Sequence, residues 1–285
     1  MRPFASRMST WRTRSFGKPN KMGTGWLRKQ IARNRRNSLV RQTAHRCKTF
    51  LSSYNNDNYD QATNGEFYIL EALSRFPLRT VFDVGANVGD WTRAARTAFP
   101  QASIHAFEIS QKTFARLAEN TSSLPNVQCV NIGLAEKEGT VTLHYYEQQP
   151  GLTTIFDYPH AFPKIEIPAP VTTGDLYCNQ NDVTHIDFMK IDAEGMDHLI
   201  LAGFANLLKN GAIDLIQFEY GQVSILSKFL LYDFYALLNR HGYTVGKIFP
   251  NFVDFRDYSM RDEDFIGPNY LACRSEKKEY IQALT

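Results

Sequence analysis

The chain has 285 residues, 43% of them hydrophobic and 21% charged, enough apolar material for one large domain that needs no disulfide or metal staple. No apolar run approaches the roughly 18 to 20 residues of a membrane helix, and Cys47, Cys129, Cys178 and Cys273 form neither a C-x-x-C pair nor a metal-ligand spacing with histidine, which argues against a disulfide scaffold or a zinc module. The net charge of +3 hides an asymmetry: fourteen Lys and Arg lie in Met1–Phe50, no acid precedes Asp57, and the remainder carries eighteen bases against twenty-nine acids.

The first 58 residues are rich in Arg, Ser, Thr and Asn, with isolated Trp11, Phe16, Trp26 and Phe50. They read as a basic, largely disordered arm with one helix around Trp26 to Arg36, and residues 59–285 read as the folded domain. Three uses fit an Arg-rich, acid-free start: an organelle transit peptide, a grip on nucleic acid or an anionic surface, or a solvated tail. The arm holds no signal-peptide apolar core, so a cytoplasmic protein is expected, with an organelle as the alternative.

From Glu66 onward helical periods alternate with short apolar runs, which predicts a parallel sheet covered by helices. A helix over Glu66 to Phe76 is stopped by Pro77, and strands are expected at Val81–Val84, Ser103–Phe107 and Val127–Ile132. Between them, helices are expected over Trp91–Phe99 and Gln111–Asn120. Thr140–Tyr145 alternates as an appended strand, and Gln148–Pro170 reads as an irregular insertion suited to a lid or substrate loop. The second half continues with strand Ile186–Ile191, helix Met196–Leu208, strand Ile213–Phe218, helix Ser224–Arg240 and closing strands Tyr243–Phe249 and Asn269–Ala272.

Ligands of open α/β sheets sit outside the carboxyl ends of the strands, and several of those ends are acidic here: Asp83, Glu108, Asp192 with Glu194, and Glu219. Gly85 and Gly89 bracket a strand-to-helix turn in VFDVGANVGDWT, where a missing Cβ lets the backbone approach a ligand. Glu108 lies a little over twenty residues beyond Gly85, the distance at which a second-strand carboxylate accepts ribose hydroxyls. Gly85-Ala86-Asn87-Val88-Gly89 lacks the middle glycine of the nicotinamide fingerprint, and Asp83 would repel a bound phosphate. Lys190 alternates into the sheet and needs a partner, Asp83 or Glu219. His185 and His198 read as surface or capping residues rather than bases. The aromatics Tyr145, Tyr146, Phe156, Tyr158 and Phe162 suit either stacking on an acceptor or packing of a long loop.

The pattern D-x-G-x-x-x-G resembles motif I of class I S-adenosylmethionine-dependent methyltransferases, and IDFMKIDAEGMDHLILAG, residues 186–203, resembles the FkbM family more specifically. Lys190, Ile191, Asp192, Glu194, Gly195, Leu201 and Gly203 carry that likeness, supported by Val171-Thr172-Thr173, Asp175-Leu176, Phe218-Glu219 and Asn269-Tyr270-Leu271-Ala272. It spans roughly Thr80 to Arg274, and Thr153-Thr154 and Tyr220-Gly221 depart mildly from it.

The resemblance implies a Rossmann-like class I methyltransferase, an α/β three-layer sandwich on a mostly parallel seven-stranded sheet with one antiparallel strand. It implies S-adenosylmethionine, bound by Asp83, Gly85, Ala86, Asn87, Gly89, Glu108 and Ile109, and O-methylation of a sugar, glycan or polyketide-type hydroxyl. A carboxylate near the sulfonium can accept the acceptor's proton, which makes Asp192, Glu194 and Glu219 the catalytic candidates; the resemblance does not demand a metal, although acids of this kind can hold magnesium with water and substrate. An oxidoreductase on the same architecture, and a nucleic-acid binding protein or RNA methyltransferase using the basic arm, are the rival readings.

Overall fold

The computed structural model describes residues 24–157 and 162–285, in a small unit ending at Leu51 and a large one, Ser52–Thr285. Helix α1 spans Thr24–Arg33 and α2 spans Ser38–Tyr54, which corrects the expectation of a largely disordered arm for residues 24–54. Residues 38–54 contain neither Gly nor Pro, and the Asn37 side chain caps the helix, its Oδ1 accepting from the backbone N–H of Leu39 at 2.9 Å and of Val40 at 3.4 Å. Trp11 and Phe16 lie outside the described residues.

In the large unit α3 (Glu66–Leu73), β1 (Thr80–Val84), α4 (Asp90–Ala98), β2 (Ser103–Phe107), α5 (Gln111–Thr121) and β3 (Val127–Val130) follow the expected alternation. Next come β4 (Gly133–Leu134), β5 (Gly139–Tyr145), β6 (Ile165–Thr172), α6 (Gly174–Gln180) and β7 (Ile186–Ile191). They are followed by α7 (Asp197–Ala202), α8 (Ala205–Lys209), β8 (Ile213–Glu219), α9 (Ser224–Ser227), α10 (Leu231–Arg240), β9 (Tyr243–Phe249), β10 (Phe252–Phe255), β11 (Asn269–Arg274) and α11 (Lys278–Leu284).

The main sheet has eight strands in the order β10-β9-β11-β8-β7-β1-β2-β3. Strands β8, β7, β1, β2 and β3 pair in parallel, while β10 and β11 run against their neighbours. The mostly parallel α/β architecture is thus the expected one, with eight strands and two reversed rather than seven and one. The extra strand is β10, a four-residue return from β9 too short to stand out as an alternating run.

Two further differences have local causes. The insertion contains β6, which pairs antiparallel with β5 from Gly139↔Val171 to Tyr145↔Ile165 and, with β4, makes a separate three-stranded sheet. Pro168 and Pro170 argue against a strand, yet β4 pairs only with Val171 and Thr172, so β6 is an edge where those prolines sit and needs no N–H there. The expected helix over Ser224–Arg240 breaks where Lys228 adopts a left-handed φ of 56° after α9.

Alternate strand residues feed opposite faces of the main sheet. Phe82, Val84, Met189 and Ile216 pack with Ile200, Leu201, Phe234 and Leu238 on one side. Val81, Ile104, Phe188 and Leu215 pack with Ile69, Leu73, Trp91 and Leu284 on the other. This three-layer core holds the carboxyl ends of β1, β2, β7 and β8 together at one edge.

Candidate active site

Backbone hydrogen bonds lock those strand ends to one another. Gly85 and Ala86 N–H donate to the Phe107 carbonyl at 3.0 and 2.8 Å, and Asp192 N–H donates to the Val84 carbonyl at 2.9 Å. Gly85 has φ +82°, and a Cβ there would lie 1.9 Å from the Asp192 carbonyl oxygen, so the close approach of β1 and β7 admits only glycine. At this point the strand order reverses, with β2 on one side of β1 and β7 on the other, the position where an open α/β sheet forms its crevice.

A cavity of about 510 Å³ opens there. Gly85, Asn87, Glu108, Ile109, Asp192, Glu194 and Glu219 all line it, which brings seven of the ten anticipated site residues together. Asp83, Ala86 and Gly89 are not in the lining. Asp83 lies fully buried beneath, its Oδ2 accepting from Thr92 Oγ1 at 2.5 Å and its Oδ1 3.9 Å from Lys190 Nζ. Burial raises its pKa and the Lys190 charge opposes that rise.

Lys190 finds its closer partner in Asp192, Nζ to Oδ2 at 2.9 Å, with Glu219 not paired to it. The ammonium keeps its proton despite burial because Asp192 and Asp83 flank it, so it anchors both carboxylates.

Glu108 is held by two backbone donors, Asn87 N–H to Oε2 at 3.0 Å and Ser110 N–H to Oε1 at 2.8 Å, which aim the carboxylate and leave further lone pairs on each oxygen. Burial pushes its pKa up to about 7 against those two bonds. In the same cavity, Asp192, Glu194 and Glu219 offer oxygens that all lie within 4.8 Å of one another, a spacing that suits one divalent cation or a shared proton. Desolvation and the Asp192 charge raise Glu194 to about 8 and lift Glu219 well above the ordinary carboxylate range. Glu194 adopts a left-handed φ of 48°, and its carbonyl accepts from Thr154 Oγ1 at 2.8 Å, which ties the insertion to the β7–α7 turn.

Several lining residues had no sequence signal: Tyr59, Gln61, Asn64 and Glu66 come from the segment ahead of β1. Leu152 and Thr154 come from the insertion that the sequence marked as a lid or substrate loop. Glu66 opens the expected helix Glu66 to Phe76, and it is buried. Its Oε2 accepts from Gln217 Nε2 at 2.9 Å, and its Oε1 accepts from Asn269 Nδ2 at 3.1 Å and Asn64 Nδ2 at 2.9 Å.

The aromatics of the insertion lie elsewhere. Tyr145 and Tyr146 are buried, Phe156 packs against the core, Phe162 is exposed, none of these lines the cavity, and Tyr158 is outside the described residues. His198 stacks on Phe229 at 4.8 Å, and His185 lies 3.3 Å from Asp214, both away from the cavity.

The cavity fits S-adenosylmethionine on three counts. Its volume falls in the range of cofactor sites, Glu108 presents oriented acceptors of the kind a ribose needs, and Asp192, Glu194, Glu219, Glu108 and Glu66 line it with no Lys, Arg or His among the described lining residues, which suits a cation. Residues 83–245 match the family described as Methyltransferase FkbM domain.

The chain belongs to the FkbM methyltransferase family. Among characterised relatives it is 25% identical over 158 residues to Methyltransferase 1 of Beauveria bassiana, covering 47% of this chain and 64% of that one. It is 25% identical over 146 residues to the hexuronic acid methyltransferase AglP of Haloferax volcanii, covering 50% of this chain and 56% of that one. The matched region thus spans somewhat over half the length of these relatives. A solved structure of the plantazolicin methyltransferase BpumL with S-adenosylhomocysteine aligns with a TM-score of 0.41 at 12% identity, covering 88% of this chain and 99% of that one.

Proposed function

We propose that this domain methylates a hydroxyl oxygen of an uncharged sugar, glycan or polyketide-type acceptor. The observation that carries the proposal is the carboxylate lining without a base. A second cavity of about 200 Å³ shares Tyr59, Leu152, Thr154, Glu194, Glu219 and Pro268 with the first, and Tyr220 and Gln222 extend it, so Glu194 and Glu219 stand between donor and acceptor spaces. An acceptor carrying its own carboxylate would face these acids with no lining cation to offset it.

When bound, the cofactor supplies a methyl group on a positively charged sulfur. Glu108 accepts ribose hydroxyls, Gly85 and Asn87 contribute the backbone floor, and Asp192, fixed by Lys190, keeps negative charge beside the cationic centre. Glu194 and Glu219 share a proton and take up the acceptor hydroxyl's proton as its oxygen is methylated. The methyl group is already electrophilic, so the trio works without a metal and a chelator leaves the rate unchanged. Loss of activity in EDTA with recovery in magnesium would reassign the trio to cation binding.

The deciding experiment incubates the protein with isotope-labelled S-adenosylmethionine and separated glycan, lipid, small-molecule and RNA fractions. Label in an alkali-stable ether of a neutral glycan or small molecule is the expected result. Label in RNA, or in a methyl ester of an acidic sugar, overturns the proposal.

A further inference from the structure

Methyl transfer leaves the basic helices unused. Between Thr24 and Tyr54 the chain carries eight Lys and Arg and no acid. On α1, Trp26, Leu27, Gln30 and Ile31 recur at i, i+1, i+4 and i+5 and share one side, with Trp26 68%, Leu27 52% and Ile31 51% exposed. Arg28, Lys29 and Arg33 occupy the remainder.

On α2, Leu39, Val40, Ala44 and Cys47 form a stripe continued by Leu51, while Arg41, His45 and Lys48 follow at i, i+4 and i+7 on another side. Leu39 is 69% exposed, and no residue of α2 is buried. A helix of a water-soluble domain normally turns such a stripe into its core.

We propose that α1 and α2 bind the surface of an anionic lipid bilayer. Apolar stripes flanked by Lys and Arg, with no acid in either helix, are what an interfacial helix presents: the stripe enters the acyl boundary and the bases remain at the headgroups. RNA offers the same phosphate charge but no apolar phase, and Leu27, Ile31, Leu39 and Val40 cannot stack on bases as aromatic side chains do. A second copy of the chain would bring eight positive charges against eight, which opposes pairing of these helices.

The test uses the full chain in flotation with vesicles of phosphatidylcholine alone and of phosphatidylcholine with phosphatidylserine, alongside anisotropy with a single-stranded RNA. Binding to the serine-containing vesicles should be at least about tenfold tighter than to neutral ones and should weaken steeply with salt. The double variants Leu27→Gln/Ile31→Gln and Leu39→Gln/Val40→Gln, which keep good helix formers, should each weaken it about tenfold while turnover and S-adenosylmethionine affinity stay at wild-type values. Helicity by circular dichroism confirms that the variants remain folded. Vesicle binding that ignores both double variants, RNA binding without vesicle binding, self-association that the variants abolish, or no binding to either vesicle overturns the proposal.

Discussion

The cavity at the sheet edge and the two N-terminal helices carry opposite charge and hold it in opposite ways. Five carboxylates line the cavity with no base among the described lining residues, and burial drives Glu108, Glu194 and Glu219 toward holding their protons. The eight bases of residues 24–54 are spread along two exposed helices and the turn between them, with no acid beside them in sequence. Charge that is buried and unneutralised is poised for chemistry, because its protonation state changes near neutral pH. Charge that is exposed and unopposed is suited to long-range attraction, because it costs nothing to maintain.

That contrast breaks most visibly at Glu194. Glu194→Gln keeps the shape and removes the proton acceptor, so turnover should fall by about 10² to 10⁴ with little change in cofactor affinity, measured by labelled methyl transfer beside calorimetry. An unchanged rate would leave Glu219 as the acceptor of the proton. Gly85→Ala forces a Cβ against the Asp192 carbonyl and into a left-handed backbone, so it should lower stability by about 3 kcal/mol or more and abolish S-adenosylmethionine binding. Thermal unfolding with and without cofactor separates the two losses.

Glu108→Gln should weaken S-adenosylmethionine about tenfold, since it replaces a charged acceptor by a neutral one. In the native protein the affinity should rise as pH passes upward through 7 and Glu108 ionises, and the variant should lose that pH dependence. Stability moves the other way. Glu108 and Glu194 have folded-state pKa values of about 7 and 8 against an ordinary 4.5, so the folded chain binds protons more tightly than the unfolded one. The cofactor-free protein should therefore be most stable below about pH 4.5 with respect to these two groups and lose that contribution as pH rises through 7 to 8. Differential scanning at pH 5.5 and 8.5 checks the sign, and Glu108→Gln should flatten the slope.

At the other pole, Arg41→Gln or Lys48→Gln should change stability, read from thermal unfolding, by no more than about 0.5 kcal/mol, because both side chains are exposed. Loss of more stability than that would mean the basic helices support the fold.

Much of the cavity was legible because its parts are local. A strand ending in Asp83 and Gly85, a carboxylate at the tip of β2, and the K-I-D-A-E-G turn each occupy a short stretch, and the parallel alternation places their ends at one edge. What could not be read was long-range. In sequence Glu66 is only the first residue of a helix, whereas in the fold Gln217 and Asn269 hold it, and those three residues are 52 to 203 positions apart. Asp83, first in the motif, turned out to lie under the floor with Thr92 and Lys190, because strand alternation points it away from the cavity that its neighbours line.

The sequence by itself determined the parallel α/β core, the family and the acids that gather at the strand ends, because hydrophobic period and motif spacing are properties of neighbouring residues. Only the tertiary structure decided which of those acids reach the cavity, which are bound by Lys190, and how strongly each holds its proton, because burial and the distance between charges exist only once β1, β7 and β8 lie side by side.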